Sequence, residues 1–474
     1  KEGKRVGTER EYLLARQKAV SGLSGPIVRT LSCVSETLLR GTKLRSCTFC
    51  ALFPVLQCLL ELPTLPSGCE LAFMVFGDGI PTEATLETMA IMTAGVELCL
   101  RCVRKPRMEP KPEGVLLRLV LSASSGGALD WEPFCHDHGL LSDEVEVRVV
   151  CLRIISKASG GAASAQNADL LFARLWMSRF DDNETIAVLA TEICASLGGQ
   201  MIAEDVYAVY SDPLFIHNSQ KVRERAARGM AEILTAYPTS ASARVSACLA
   251  RYVSALPPPP STNAKAAIAK GAKPEDLHKA ERSSVAYFIR AVGDSKCLLA
   301  LPADEARTLL MQLVEFVAST GVVDPRVDVG DAFIAAGRGL VDGYGEDKLY
   351  SETLLGFFDQ ELKRKQGKDE DGDTYDIRHE AAVVLLGAAG KYIEKTNVEK
   401  IESIIRTLID ALRTPSESVQ MAVADCLCPL VQLIKTGETV KELLETLLLA
   451  CTSANTYGDR RGAAFGVSAM VKGM

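Results

Sequence analysis

The sequence predicts an all-α chain built from about eleven stacked helical hairpins, and three observations predict it. Apolar residues make up 47% of the 474 positions, but aromatic residues only 6%. A pattern of a turn residue or acid, an aliphatic, often an arginine, and then small apolar residues returns along the chain. In the C-terminal part, apolar positions fall on paired helical faces that no single pair can bury.

Composition narrows the classes. Small and aliphatic apolar residues suit helices packed closely on helices. With 24% charged residues the chain is not disordered. No apolar run reaches the roughly 18 to 20 residues that span a bilayer, and the longest, Phe49 to Leu60, is broken by Pro54 and Gln57. Fifteen cysteines, odd in number and scattered from Cys33 to Cys451, read as reduced thiols rather than a secreted disulfide framework. The first residue is Lys1 and the last are Lys472-Gly473-Met474, which suggests a piece of a longer polypeptide. The net charge of −7 argues against a nucleic-acid-binding surface overall. Its sign is uneven, however: residues 1–118 hold 16 Lys+Arg against 12 Asp+Glu, and the remainder 37 against 48.

The recurrent segments are Asp143-Glu-Val-Glu-Val147-Arg148, Glu184-Thr-Ile186, Gln220-Lys-Val222-Arg223, Arg282-Ser-Ser-Val285, Asp324-Pro-Arg-Val327, Asp376-Ile377-Arg378, Glu417-Ser-Val419 and Asp459-Arg460-Arg461. Taking the aliphatic, or Arg460 in the last, as anchor, the intervals are 39, 36, 63, 42, 50, 42 and 41 residues. The two long intervals contain the stretches Pro257 to Asp276 and Lys363 to Asp376, and fall close to the others without them. A period of about 40 to 47 with two helices per unit is that of HEAT or armadillo repeats, an α-solenoid.

The first helices of successive units carry Ile377, Ala381, Val384, Leu385 and Ala388, then Val419, Val423, Cys426, Leu427 and Leu430. Their partners carry Ile401, Ile404, Ile405, Leu408, Ile409 and Leu412, then Val440, Leu443, Leu444, Leu447, Leu448 and Cys451. Thr414-Pro415 stops the first partner, because the residue before proline disfavours the α conformation. Residues 1–118 read as degenerate, net basic helical repeats, with Leu44-Arg45 and Leu86 to Val96 as irregular units. HEAT repeats follow over 119–256, then a Pro-rich loop or linker over 257–276, then regular HEAT repeats over 277–474 with a charged loop at 363–376. Arg104 to Gly114 and Lys157 to Ala168 also read as loops.

Chemical motifs are sparse. Cys47-Thr-Phe-Cys50 and Cys99-Leu-Arg-Cys102 are each CxxC, but they lie too far apart for a zinc ribbon, and on a helix both thiols of a pair face the core. Cys135-His-Asp-His138 lacks a second cluster to complete a tetrahedral metal site. Asp369, Asp371, Asp373 and Glu380 match a calcium-loop spacing, yet Thr374 stands where that loop needs glycine. Gly337-Arg-Gly339-Leu-Val-Asp-Gly343 has neither the spacing nor the strand context of a dinucleotide turn. His136, His138, His217, His278 and His379 sit in no nucleophile context. The sequence therefore predicts no enzyme, metal, cofactor or small-molecule ligand.

Arg148, Arg223, Arg378 and Arg461 recur beside the anchors, and are expected to form a stacked hydrogen-bond ladder with acids such as Asp143 or Asp376. Candidate contacts with an anionic partner are three non-periodic basic clusters: Lys4, Arg5, Arg10, Arg16 and Lys18; Arg101, Arg104, Lys105, Arg107 and Lys111; and Lys363, Arg364, Lys365 and Lys368.

The segment Tyr457-Gly-Asp459-Arg460-Arg461-Gly462-Ala463-Ala464-Phe-Gly466-Val-Ser-Ala469-Met-Val-Lys472-Gly473 is more particular than a generic repeat helix. It resembles the Y-x-E-R-x-G-A-A-x-G-L-A-G-x-x-K-G segment of the general-control translational activator family, with Asp459 for the family's Glu and Val-Ser-Ala-Met where Leu-Ala-Gly is usual. The resemblance implies a central piece of a large HEAT scaffold, just before a region similar to fungal elongation factor three. It implies a cytoplasmic, polysome-associated adaptor without catalytic activity, bound to stalled or collided ribosomes through rRNA and ribosomal proteins. It also implies that, in the amino-acid starvation response, such a scaffold activates the kinase of initiation factor two alpha. Contacts with that kinase and with an ABC-type ATPase would be made by regions outside this segment, and no membrane is involved.

Two other classes share the repeat type. A nuclear transport receptor would line its concave face with acids and tryptophan-asparagine ladders, and a tubulin-binding TOG array would carry a tryptophan or basic residues in loops along one edge. The chain has only Trp131 and Trp176, and neither sits in a recurrent loop.

Overall fold

The computed structural model describes residues 80, 86–103, 112–125, 130–158, 167–197, 204–257, 278–367, 371–393, 397–414, 416–434 and 437–474. Among them it holds seventeen α-helices and no strand. None of these helices is long and apolar enough to cross a membrane. The chain divides into two compact units, residues 1–210 and 211–474.

In the first unit the helices are α1 (Leu86–Val103), α2 (Pro112–Ser125), α3 (Val145–Ala158), α4 (Ala168–Ser178), α5 (Glu184–Ser196) and α6 (Glu204–Ser211). α2 runs unbroken through residue 118, where the charge balance changes. α1 packs on α2, α2 on α3, α3 on α5, and α4 on α5. The core between them is aliphatic and sulfur-rich, with Cys99, Leu116, Leu119, Val147, Cys151, Ile155, Leu171 and Ile186 buried. Trp131 meets Phe134 edge to face, with ring centroids 5.3 Å apart, and both are buried.

In the second unit the helices are α7 (Gln220–Ala236), α8 (Ala241–Ala255), α9 (Lys279–Ser295), α10 (Ala303–Phe316), α11 (Val327–Tyr344), α12 (Lys348–Lys363), α13 (Gly372–Gly390), α14 (Val398–Ala411), α15 (Glu417–Val431), α16 (Gly437–Ser453) and α17 (Tyr457–Gly473). They form two rows. α7, α9, α11, α13, α15 and α17 stack each on the next, and α8, α10, α12, α14 and α16 each pack on the following member of that row. The hairpins are bounded by polar caps: the side chains of Asp347, Asp371, Asn397 and Thr456 accept from backbone N–H groups of the first turns of α12, α13, α14 and α17.

Most anchors lie where the periodicity puts them. Val147, Ile186, Val222, Val285 and Val419 are buried on the first helices of their hairpins. Two do not. Val327 opens α11 with 80% of its surface exposed, and Val329, two residues on, takes the buried position. Ile377 is exposed, because α13 starts at Gly372 rather than Ile377 and is walled by α11, α12, α14 and α15. Its burial therefore spreads around the helix, over His379, Ala382, Val383, Leu385 and Leu386, instead of forming one stripe.

The charged stretch 363–376 is shorter as a loop than expected. Lys363 ends α12 and Gly372 to Asp376 begin α13. Asp371 is the N-cap: Thr374 Oγ1 donates to its Oδ2 at 2.7 Å and Thr374 N to its Oδ1 at 2.8 Å, and together they hold its carboxyl below the usual range. Acids collect here because they satisfy a helix N-terminus. Pro112 to Gly114 likewise belong to α2, and Lys157 and Ala158 to α3. Residues 104–111, 159–166, 258–277 and 368–370 lie outside the described residues.

Helices in the first row approach closely where glycines meet. A Cβ on Gly343 of α11 would lie 2.1 Å from the Gly293 carbonyl oxygen of α9, and one on Gly293 would lie 2.3 Å from Gly339. Gly339 and Gly343 thus form the crossing surface of α9 and α11, whereas a Cβ on Gly337 would meet Leu385 of α13.

Candidate partner-binding surface

Arginines of the repeat bind between hairpins, but with partners other than Asp143 and Asp376. Arg148 Nη1 donates to the Ser142 carbonyl at 2.7 Å, and its guanidinium pairs with Asp181 at 2.9 Å, both side chains buried. Arg282, fourth residue of α9, pairs with Asp324 at 2.8 Å in full burial, and Tyr252 Oη donates to the same carboxylate at 2.8 Å. Asp181 and Asp324 occupy matching places, three residues before α5 and α11, and each also accepts from a backbone N–H two residues on. Arg223 donates to the His217 and Asn218 carbonyls. Arg378 reaches the Ser319 carbonyl, in the single π-turn (Val317–Gly321) that extends α10. These side chains are consumed by architecture, since a buried charge is stable only when paired and hydrogen-bonded.

The segment 457–473 is α17, and one face of it is turned inward. Gly462, Ala463, Gly466, Ala469, Met470 and Gly473 are buried. A Cβ on Gly462 would lie 2.1 Å from the Leu412 carbonyl oxygen. Arg461 Nε donates to Gln420 Oε1 at 2.8 Å and its Nη1 lies 2.9 Å from Glu417. Gln420 is fully buried, its Nε2 within 3.0 Å of the carbonyls of Leu412, Thr414 and Gly458. Arg460 donates to the Ala454 carbonyl, and Thr456 Oγ1 accepts from Asp459 N. Tyr457, Ala464 and Lys472 are exposed.

Of the basic clusters, Lys4, Arg5, Arg10, Arg16, Lys18, Arg104, Lys105, Arg107, Lys111 and Lys368 lie outside the described residues, as do Cys47 and Cys50. Arg101 pairs with Glu97 one turn back at 2.5 Å. Lys363 pairs with Asp359 at 2.6 Å and Arg364 with Glu361 at 3.5 Å, while Lys365 is exposed. Lys363 and its neighbours gather at the C-terminus of α12, where cations suit the helix dipole. Cys99 and Cys102 are buried in α1, and burial pushes the Cys99 thiol well up. Burial also takes Cys135 up to about 12. Neither thiol is poised as a ligand or nucleophile.

Beside the third cluster lies an open cleft of about 690 Å³, which sequence reasoning missed. The end of α12 supplies Leu362, Lys363 and Gln366, the start of α13 Tyr375, Asp376 and His379, and the end of α14 Thr407, Asp410 and Arg413. His379 is buried, its ring 4.8 Å from that of Tyr375. Desolvation and the nearby Arg364 hold its pKa below the usual value, so it is neutral at pH 7. Burial raises the Asp376 carboxyl. Such a cleft is equipped for ion pairs and hydrogen bonds to a partner.

Comparison with known proteins adds to this geometry. Residues 162–391 match the HEAT-repeat family described as "Stalled ribosome sensor GCN1, HEAT repeats". The chain is 27% identical over 341 residues to Protein ILITYHIA of Arabidopsis thaliana, covering 71% of this chain and 11% of that protein. It is 27% identical over 312 residues to the stalled ribosome sensor GCN1 of Homo sapiens, covering 64% and 11%. It is 28% identical over 341 residues to the eIF-2-alpha kinase activator GCN1 of Dictyostelium discoideum, covering 71% and 12%. Among solved structures, Kap121p bound to Nup53p is 13% identical with a TM-score of 0.45, covering 95% of this chain and 45% of that one, a likeness that carries no functional weight. The chain thus spans 11 to 12% of the length of these relatives, and over residues 162–391 it matches the HEAT repeats of the GCN1 family.

Proposed function

We propose that this chain is a scaffold segment, without catalytic activity of its own, that binds stalled or collided ribosomes in the cytoplasm. In doing so it supports activation of the kinase that phosphorylates initiation factor two alpha during amino-acid starvation. The observation that carries this reading is the match of residues 162–391 to a family described as a stalled ribosome sensor, together with relatives named as eIF-2-alpha kinase activators.

The architecture supports it physically. Rows of helices offer a long surface on which many weak contacts add up. Exposed cations such as Lys365 provide salt-sensitive attachment points for rRNA or ribosomal proteins. Contacts with the kinase and with an ABC-type ATPase belong to other regions of the longer relatives in this reading.

Co-sedimentation of the purified chain with ribosomes tests it, between about 50 mM and about 200 mM salt. Binding that weakens as salt rises is expected; no binding at the lowest salt refutes ribosome contact by this segment.

A further inference from the structure

Two recesses lie along one edge of the second unit and share Arg413 as a common wall. The first is the cleft at the ends of α12 and α14 and the start of α13. The second, of about 370 Å³, is formed by the ends of α14 and α16 and the start of α17, with Ile409, Leu412, Leu447, Leu449 and Ala450 as its apolar floor and walls and Asp459 at its rim. Leu449 is 65% exposed there.

The charges of this double groove are unequal. Lys363 is neutralised by Asp359 at 2.6 Å, and His379 is neutral. Arg413 is therefore opposed by three lining carboxylates, Asp376, Asp410 and Asp459. Carboxylates repel phosphate, so the groove disfavours RNA. It suits lysine and arginine, whose alkyl stems lie along apolar walls while their heads meet carboxylates. A chain crossing both recesses must also be slender, since Arg413 stands between them.

We infer that the groove along α12, α14 and α16 docks an extended basic segment of a protein, with aliphatic stems against Ile409 and Leu449 and cationic heads at Asp376, Asp410 and Asp459. Where the ribosome is the partner, which rests on the proposed function, this edge contacts a basic ribosomal protein segment rather than rRNA.

The test has two arms. In the first, fluorescence anisotropy measures binding of the whole chain to a short labelled peptide alternating lysine and leucine, and to a single-stranded oligouridylate. Asp410→Lys and Asp459→Asn, checked for folding by circular dichroism, should each weaken peptide binding, by roughly tenfold for the charge reversal, and leave oligouridylate binding no weaker. No peptide binding, or binding unchanged by both substitutions, overturns the inference without touching the ribosome reading. In the second, a photo-crosslinking residue at Leu449 is irradiated with purified ribosomes. Adducts to ribosomal protein are expected, and adducts to rRNA overturn the assignment. Absence of ribosome binding would remove the ribosomal partner and leave the peptide result standing.

Discussion

Arg282 on α9 and Asp324 before α11 form an ion pair with both side chains wholly shielded from solvent, 2.8 Å apart and 42 residues distant in sequence. With Tyr252 of α8 on the same carboxylate and the Ala255 carbonyl accepting from Arg282, the pair ties three hairpins together. Removing one partner strands the other, so Asp324→Ala and Arg282→Ala should each cost about 3 to 5 kcal/mol. The joint Arg282→Met, Asp324→Leu variant should cost less than either. Urea denaturation of the three variants checks this; a double variant as unstable as the sum of the singles contradicts it.

The glycine crossing makes an opposed pair of predictions. Gly343→Ala places a methyl 2.1 Å from the Gly293 carbonyl oxygen and should destabilise by about 1 to 3 kcal/mol. Gly356 of α12 has open space around its Cβ position, so Gly356→Ala should stabilise by about 0.5 to 1 kcal/mol. Thermal melts of the two variants should move in opposite directions.

The segment 457–473 is predicted to act through packing. Gln420→Leu leaves the carbonyls of Leu412, Thr414 and Gly458 without their shared donor, at a cost of about 1 to 3 kcal/mol. Hydrogen exchange should then quicken in α15 and α17 first. Tyr457→Ala, at a residue 71% exposed, should leave that exchange unchanged. Equal effects of the two substitutions would mean that the motif does something other than brace α15 against α17.

Alkaline instability follows from buried thiols. Burial raises Cys135 and Cys248 from 9.0 to about 12, so both stay protonated in the folded chain while the unfolded chain ionises them. Their contribution is fully present below pH 9 and is lost as pH rises through 9 to about 12. Urea midpoints should fall between about pH 8 and about pH 10.5, and Cys248→Ala should flatten that slope. A slope unaltered by the substitution would assign the effect elsewhere.

The sequence made the fold legible because hairpins about 40 residues apart must bury similar faces, and Val147, Ile186, Val222, Val285 and Val419 mark those faces. Periodicity located the α11 anchor two residues early, because Val327 and Val329 are alike in sequence and differ only in burial once the helix is packed. It misread α13, which is buried around much of its circumference and so shows no single stripe. The arginine ladder was visible as a recurrence, but its partners were not. Arg148 reaches Asp181 in the following hairpin and Arg378 a carbonyl exposed by a π-turn, relationships that depend on stacking rather than spacing. Basic clusters were chosen by composition, which cannot show that Lys363 already lies on Asp359 or that Asp410 and Asp459 line a groove with Arg413.

The most direct test of the central claim compares affinities of the purified chain for collided ribosome pairs, single translating ribosomes and free subunits under one salt condition. The account predicts binding to ribosomes with the collided pairs preferred; no binding to any of the three, or equal binding to free subunits and collided pairs, would contradict it.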